Sequence, residues 1–161
     1  MRGIVFSLMV ICLFVSSLSA ATQAHWKDIW PVNGGFELAE KDGHIPGWPD
    51  FLGVSEGRGS ISVTRQNAQN GTSCLRMADE DPNAAVEIRS ERIEAIPGSF
   101  YMASAYVYIE SGLSARLYLD FWDARDRRLA SYTTRTDQTE QWHPIMVQGY
   151  APQEATSLTI R

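Results

Sequence analysis

After residue 24, apolar and polar residues alternate in many short segments, and the spacing of an amphipathic helix is hard to find. Alternation with a period of two is typical of strands that have one face in a core and the other in solvent. Residues with turn chemistry, mainly Gly, Pro, Asn and Asp, separate the segments. The pattern predicts an all-β protein built as a two-sheet antiparallel β-sandwich. The strands are expected at 59–66, 73–78, 84–93, 101–109, 115–122, 129–134, 142–150 and 156–161.

The segment 115–122 carries the most informative alternation. Its odd positions are Ala, Leu, Leu and Phe, and its even positions are Arg116, Tyr118, Asp120 and Trp122. Because side chains alternate across a strand, burying the odd positions forces the even ones outward as one row. A sugar ring packs its C–H face on an aromatic plane, and its hydroxyls need donors and acceptors such as arginine and aspartate. The row therefore predicts a carbohydrate-binding surface, to which Ser157, Thr159 and Arg161 are expected to add polar groups.

Two alternatives stay open for this row. Tyr and Trp are common on strands simply because they fit a pleated surface, and Arg116 with Asp120 fits an ordinary ion pair.

The segment 101–109 also has a polar-aromatic face, which adds Tyr106 and Tyr108 to the candidate carbohydrate-binding residues. If the two strands belong to opposite sheets, however, these tyrosines point away from Trp122.

The first 24 residues have the order of a secretory signal peptide. Arg2 gives a positive start, residues 3–15 are almost wholly apolar, and residues 16–24 are small and polar. The apolar run is shorter than the roughly 20 residues of a membrane-spanning helix. We expect a leader at 1–24, cleaved after a position between Ala20 and Ala24, and a secreted protein, extracellular or periplasmic. An uncleaved membrane anchor is the alternative.

Composition narrows the function of residues 25–161. The net charge of the whole chain is −5, which argues against nucleic acid or an anionic membrane as partner. Cys74 is the one cysteine after the leader, so the domain has no internal disulfide and needs a self-sufficient core. The histidines lack zinc spacing, and neither a nucleophile elbow nor a phosphate-binding glycine loop occurs. We expect a monomeric, single-domain protein that is not an enzyme.

Six short motifs follow one another along the chain: Asn33-Gly34-Gly35-Phe36-Glu37, Pro46-Gly47-Trp48, Asn70-Gly71-Thr72-Ser73-Cys74-Leu75, Pro97-Gly98-Ser99-Phe100-Tyr101, Phe121-Trp122-Asp123, and Trp142 with Tyr150-Ala151-Pro152. In this order they resemble the jelly-roll carbohydrate-binding modules of the family 4/9/22 type, which are galactose-binding-like. The first motif is expected to form a short strand, and Trp48 to anchor the core.

The resemblance implies a jelly roll that binds a polysaccharide or oligosaccharide without cutting it. It also implies that Phe51 lines the sugar groove and that Glu37 holds a structural calcium ion. A last strand usual in this family is lacking, so residues 25–161 are expected to be a C-terminally incomplete module, the N-terminal part of a larger polysaccharide-active protein.

Two other functions remain open on the same fold. One is a glycoside hydrolase or polysaccharide lyase, which would need a pair of carboxyl groups such as Asp120 with Glu110 or Asp123. The other is a structural spacer without a sugar site.

Overall fold

The computed structural model describes residues 2–14, 26–40, 42–54, 56–81, 85–112 and 114–161. Over these ranges the chain forms strands and turns and contains no helix, so the all-β prediction is confirmed. In this part of the chain, nothing resembles an apolar helix long enough to span a bilayer. The strands are β1 (Arg2–Phe14), β2 (Trp26–Ile29), β3 (Asp50–Leu52), β4 (Gly59–Thr64), β5 (Cys74–Asp79), β6 (Glu87–Arg89), β7 (Ile93–Glu94), β8 (Phe100–Ile109), β9 (Ala115–Trp122), β10 (Arg128–Thr136), β11 (Trp142–Tyr150) and β12 (Ser157–Ile160).

The strands form three sheets, and every pair of named strands is antiparallel. A six-stranded sheet has the order β11-β8-β1-β5-β4, with β2 paired to β1. A four-stranded sheet has the order β10-β9-β12-β7, and β3 pairs with β6 alone. The rings of Tyr101 on β8 and Phe121 on β9 meet edge to face with centroids 5.5 Å apart. The inner faces of the two larger sheets therefore share one core, as in a β-sandwich.

Alternating burial defines the inner and outer faces of the strands. In β9, Leu119 and Phe121 are completely buried, and in β8 the same holds for Tyr101 and Val107. Trp48 is also buried, as expected of a core anchor, and its indole N–H donates to the Val32 carbonyl oxygen at 3.1 Å. On β8 and β9, the side chains between the buried positions point away from the core. A surface site on either strand must therefore be formed by those side chains.

Most predicted strands occur within a residue or two of their expected bounds. β9 and β11 begin and end where the alternation predicted them. The single strand expected at 84–93 is instead two short strands, β6 and β7, separated at residues 90–92, and β3 was not predicted.

The segment 33–37 does not form the expected short strand. Residues 32–35 are turns, and Asn33 and Phe36 have φ values of 53° and 57°. A positive φ interrupts the extended backbone of a strand, and Asn tolerates it through local hydrogen bonds. Here the Asn33 side chain accepts from the Leu38 N–H at 3.0 Å and donates to the Leu38 carbonyl oxygen at 2.8 Å. The motif is thus a closed turn.

The predicted leader overlaps with a strand of the structure. β1 lies between β5 and β8 in the six-stranded sheet, with Val5 opposite Arg76 on one side and Tyr108 on the other. An apolar run suits an interior strand as well as the apolar part of a signal peptide, because periodicity does not distinguish the two. The expected cleavage positions between Ala20 and Ala24 lie outside the described residues, so the leader stays a prediction. If it is removed, β1 is removed with it.

Candidate functional site

The row predicted on β9 lies on the side of the four-stranded sheet that faces away from the core. Arg116 is exposed, and Tyr118 and Trp122 are half-buried. Their odd-numbered neighbours are buried, with Leu119 and Phe121 fully enclosed. The alternation therefore directs these side chains as expected.

Two neighbouring strands extend this surface, which we call the β9 face. On β10, register pairs Ser131 with Asp120 and Thr133 with Tyr118, and on β12 Thr159 is opposite Asp120. Residues paired across an antiparallel ladder point to the same side of the sheet. The β9 face thus includes Arg116, Tyr118, Asp120, Trp122, Arg128, Ser131, Thr133, Arg135, Ser157 and Thr159, together with Arg161, whose backbone bonds to that of Tyr118. Ser157, Thr159 and Arg161 therefore lie on the same side of the sheet as the β9 row, although Thr159 is buried there.

Asp120 is not the exposed acceptor that the sequence suggested. It points away from the core, yet its side chain is completely buried beneath its neighbours on the β9 face. Arg161 donates from Nε to Oδ2 of Asp120 at 3.2 Å and from Nη1 to Oε1 of Glu87 at 2.8 Å. Burial favours a neutral group, but these two carboxylates raise the pKa of Arg161 above its ordinary value. Asp120 therefore holds Arg161 in place, and its other oxygen, Oδ1, is buried without a hydrogen-bond partner.

Arginine side chains pack on both aromatic rings of the β9 face. The Arg161 guanidinium carbon lies 3.9 Å from the centroid of the Tyr118 ring, and that of Arg92 lies 3.9 Å from the Trp122 ring. The indole N–H of Trp122 donates to the Thr159 hydroxyl at 3.0 Å. Such cation–π contacts hold the rings in a fixed orientation. They also place a planar guanidinium group against each ring.

Tyr106 and Tyr108 lie on a different surface. Both are half-buried on the outward side of β8, which belongs to the six-stranded sheet. Because the core separates the two sheets, these tyrosines point away from Trp122, which was the alternative left open by the sequence. Tyr108 packs instead near Trp142 of β11, with ring centroids 5.8 Å apart.

Phe51 does not join the β9 face either. It is the middle residue of β3, opposite the buried Ile88, and its half-buried ring packs against the hydrophobic core. Its neighbours Asp50 and Leu52 are the exposed residues of that strand. Phe51 thus lies apart from the β9 face, and its expected role in a sugar groove stays a prediction.

Glu37 connects the opening motif to the turn at residues 70–73. Its carboxylate accepts hydrogen bonds from the Thr72 hydroxyl at 2.6 Å and from the backbone N–H groups of Thr72 and Ser73 at 3.0 and 3.3 Å. These bonds lower the pKa of Glu37, and the bond from the Thr72 hydroxyl has the largest effect. A Cβ atom at Gly71, which has a φ of 71°, would collide with the Glu37 carboxylate. The turn therefore requires glycine.

These contacts bear on the expected calcium ion. Calcium takes six or more oxygen ligands, whereas the groups around Glu37 are hydrogen-bond donors that occupy its carboxylate oxygens. Within the described ranges, no three acidic, His or Cys side chains cluster as metal ligands would. The surroundings of Glu37 fit a capped turn better than a metal site, and calcium binding stays a prediction.

The carboxylates considered for catalysis each have another partner. Glu110 forms an ion pair of 3.3 Å with Arg76 of β5, which belongs to the six-stranded sheet. Asp123 accepts from the backbone N–H groups of Arg125 and Arg127, both at 2.9 Å, and the pKa of Asp123 is lowered, first by the bond from Arg127. Asp120 is paired with Arg161.

A hollow of about 420 Å³ lies beside β7, the edge strand of the four-stranded sheet. Asp28, Ile29, Trp30, Ile93, Glu94, Ile96 and Tyr101 line it. It contains none of the residues predicted to bind carbohydrate.

The sequence did not single out the arginines that cover this surface. Arg92 comes from the irregular stretch between β6 and β7, and Arg135 lies one residue beyond the strand expected at 129–134. A longer alternation through Ser131, Thr133 and Arg135 was the available signal, since these three residues point outward. Comparison with protein-family models, with curated proteins and with solved structures gave no match to this chain.

Proposed function

We propose that the protein is a non-catalytic carbohydrate-binding domain that holds a polysaccharide or oligosaccharide on its β9 face. The observation that carries this proposal is the half-exposure of Tyr118 and Trp122 in one row with the exposed Arg116, on a regular sheet. A pyranose ring packs its C–H face on such rings, and its hydroxyls bond to Arg116, Ser131 and Thr133 around them. The fixed sheet positions these groups before the ligand arrives.

The arginine stacks are compatible with this role. One guanidinium lies over the Tyr118 ring and two, those of Arg92 and Arg89, lie over the Trp122 ring, while both residues stay partly exposed. The flat guanidinium of Arg161 adds N–H donors beside the Tyr118 ring, where sugar hydroxyls would lie. A few stacks and hydrogen bonds supply about −4 to −8 kcal/mol, which corresponds to millimolar to micromolar binding.

The proposal includes the finer features that the sequence suggested. The fold is a jelly roll, the chain is exported with the leader 1–24, and the domain works as a monomer within a larger polysaccharide-active protein. The antiparallel sheets and the shared core support the jelly roll. The apolar run after Arg2 supports export.

Affinity electrophoresis against a panel of soluble polysaccharides tests the proposal. We expect retardation on at least one polymer, weakened about tenfold by Tyr118→Ala or Trp122→Ala because one stacking plane is lost. The variant Tyr106→Ala/Tyr108→Ala is the matched control, since it removes two aromatic side chains from the opposite sheet. Circular dichroism verifies that each variant is folded.

The same assay separates the alternatives. A folded protein that is retarded by no polymer would favour the spacer. Release of reducing ends from a retarding polymer, abolished by Asp120→Asn, would favour a glycoside hydrolase. Loss of retardation in the Tyr106/Tyr108 variant alone would move the site to the six-stranded sheet.

A further inference from the structure

Two arginines are direct cross-strand partners on the β9 face. Register places Arg135 of β10 opposite Arg116 of β9, and both are exposed. Side chains in such a pair have Cβ atoms about 4.5–5.5 Å apart, and like charges there are destabilising. A chain with a net charge of −5 has many carboxylates with which either arginine could have been paired.

Three other arginines near this surface have carboxylate partners. Arg161 pairs with Glu87 and Asp120. Arg89 lies 3.3 Å from Asp50, and Arg92 lies 3.1 Å from Asp126. By contrast, no carboxylate of the described residues forms an ion pair with Arg116 or Arg135. Among the described residues, the one hydrogen bond from the Arg116 side chain goes to the Tyr118 hydroxyl, at 3.3 Å.

Two adjacent, uncompensated guanidinium groups have the chemistry of an anion site. Each presents a planar fork of N–H donors that matches a carboxylate, and one carboxylate between two forks relieves their mutual repulsion. Arg161, on the same face, donates one bond to each of two protein carboxylates, so arginine–carboxylate pairs already form on this surface. The half-exposed Tyr118 ring lies two residues along the strand from Arg116, on the same side.

We infer that the ligand of the β9 face is a polysaccharide of uronic acids, whose carboxylate binds between Arg116 and Arg135 while its ring stacks on Tyr118. This inference rests on the proposed function and names the class of glycan. A uronic acid carries the carboxylate on the sugar ring, so one residue satisfies the arginine pair and the aromatic plane together.

A matched pair of polymers tests this inference on the full chain. Polygalacturonate and its fully methyl-esterified form share a backbone but differ in charge. We expect the acid to bind at least about tenfold more tightly, because hydrogen bonds to a charged partner are the stronger ones, and its binding to weaken with added salt. Isothermal titration calorimetry at two salt concentrations measures both effects.

Three variants locate the site. Arg116→Gln and Arg135→Gln should each weaken polygalacturonate binding about tenfold and weaken binding of the ester less, so that the preference for the acid over the ester falls. Arg65→Gln, at an exposed arginine beside β4, should change neither. All three positions are at the surface, so the variants should fold like the parent protein.

The possible failures are distinguishable. If the acid and the ester bind equally, or if neutral glycans alone bind through Tyr118, the inference of a uronic acid ligand is wrong. The proposal of carbohydrate binding would still stand. Equal binding of dextran sulfate or double-stranded DNA would overturn the inference of a uronic acid ligand in favour of a general polyanion surface. Failure of every polysaccharide to bind would overturn the proposed function as well.

Discussion

At the scale of single residues, Glu37 shows how one exposed carboxylate organises two distant pieces of chain. It accepts hydrogen bonds from Thr72 and Ser73, which are 35 and 36 residues away in sequence. The bonds lower the pKa of Glu37 in the folded protein. A depressed carboxyl pKa contributes stability that is fully present above the unfolded pKa and is lost as the pH falls through the folded pKa.

Glu37→Gln should therefore destabilise the protein in a pH-dependent way. At pH 7 we expect the melting temperature to fall by about 3 °C, the size expected for the loss of a capping carboxylate. The difference from the parent should shrink as the pH falls below the ordinary glutamate pKa of 4.5 and vanish once Glu37 is protonated. Thermal melts from pH 7 to pH 2 measure it.

The exposed Glu91 supplies the control, because Glu91→Gln removes a carboxylate that makes no side-chain hydrogen bond among the described residues. A Glu37→Gln difference that persists undiminished at pH 2 would show that the charge is not what stabilises the turn. The same melts with added calcium test the metal: a rise confined to the parent protein would support a site at Glu37.

At the scale of elements, the break between β6 and β7 is bridged by a side chain. Ser90 is buried between the two short strands, and its backbone N–H donates to the Ile160 carbonyl oxygen at 2.9 Å. Its hydroxyl accepts from the buried Ile160 N–H at 2.9 Å and donates to the Glu91 carbonyl oxygen. The hydroxyl thus replaces a ladder bond that the irregular backbone cannot make.

Ser90→Ala should remove the hydroxyl that accepts from the Ile160 N–H and leave this N–H buried without an acceptor. We expect a loss of about 1–3 kcal/mol in the free energy of unfolding, the cost of an unsatisfied buried donor. Urea denaturation measures it, with Ser60→Ala on the exposed side of β4 as the matched control. If both variants unfold at the same urea concentration, the Ser90 hydroxyl is not needed to join the break between β6 and β7 to β12.

Elements with strict alternation were predictable, and those that depend on partners were not. The bounds of β9 follow from its period of two, because burying Leu117, Leu119 and Phe121 leaves one direction for the residues between them. The complete burial of Asp120 depends on Arg161, which is 41 residues further along the chain. Local patterns contain no information on such covering groups, so the outward direction was predictable and the exposure was not.

Sequence pattern was also insufficient at the opening motif and at Phe51. The run 33–37 contains residues with either strand or turn propensity, and its hydrogen bonds to Leu38 decide for a turn. β3 has only three residues, too few to show an alternation. The inward direction of Phe51 is set by its pairing with β6 rather than by a pattern.

At the scale of the whole molecule, β1 decides whether the six-stranded sheet is continuous. It pairs with β5 on one side and β8 on the other, and no other described strand joins those two. Neighbouring strands lie about 4.8 Å apart, so a chain without β1 has a gap of about 9.6 Å between β5 and β8. Each of these strands would then present an edge of unpaired backbone groups.

Deletion of residues 1–24 should therefore weaken the fold. We expect the melting temperature of residues 25–161 to be roughly 10 °C or more below that of the full chain, because an interior strand and its hydrogen bonds are lost. A synthetic peptide of residues 2–14 added in trans should restore part of the difference, since open edges accept a strand. A peptide with the same composition in scrambled order is the control. If the shortened chain melts at the same temperature and the peptide has no effect, residues 2–14 do not support the sheet and act solely as the exported leader.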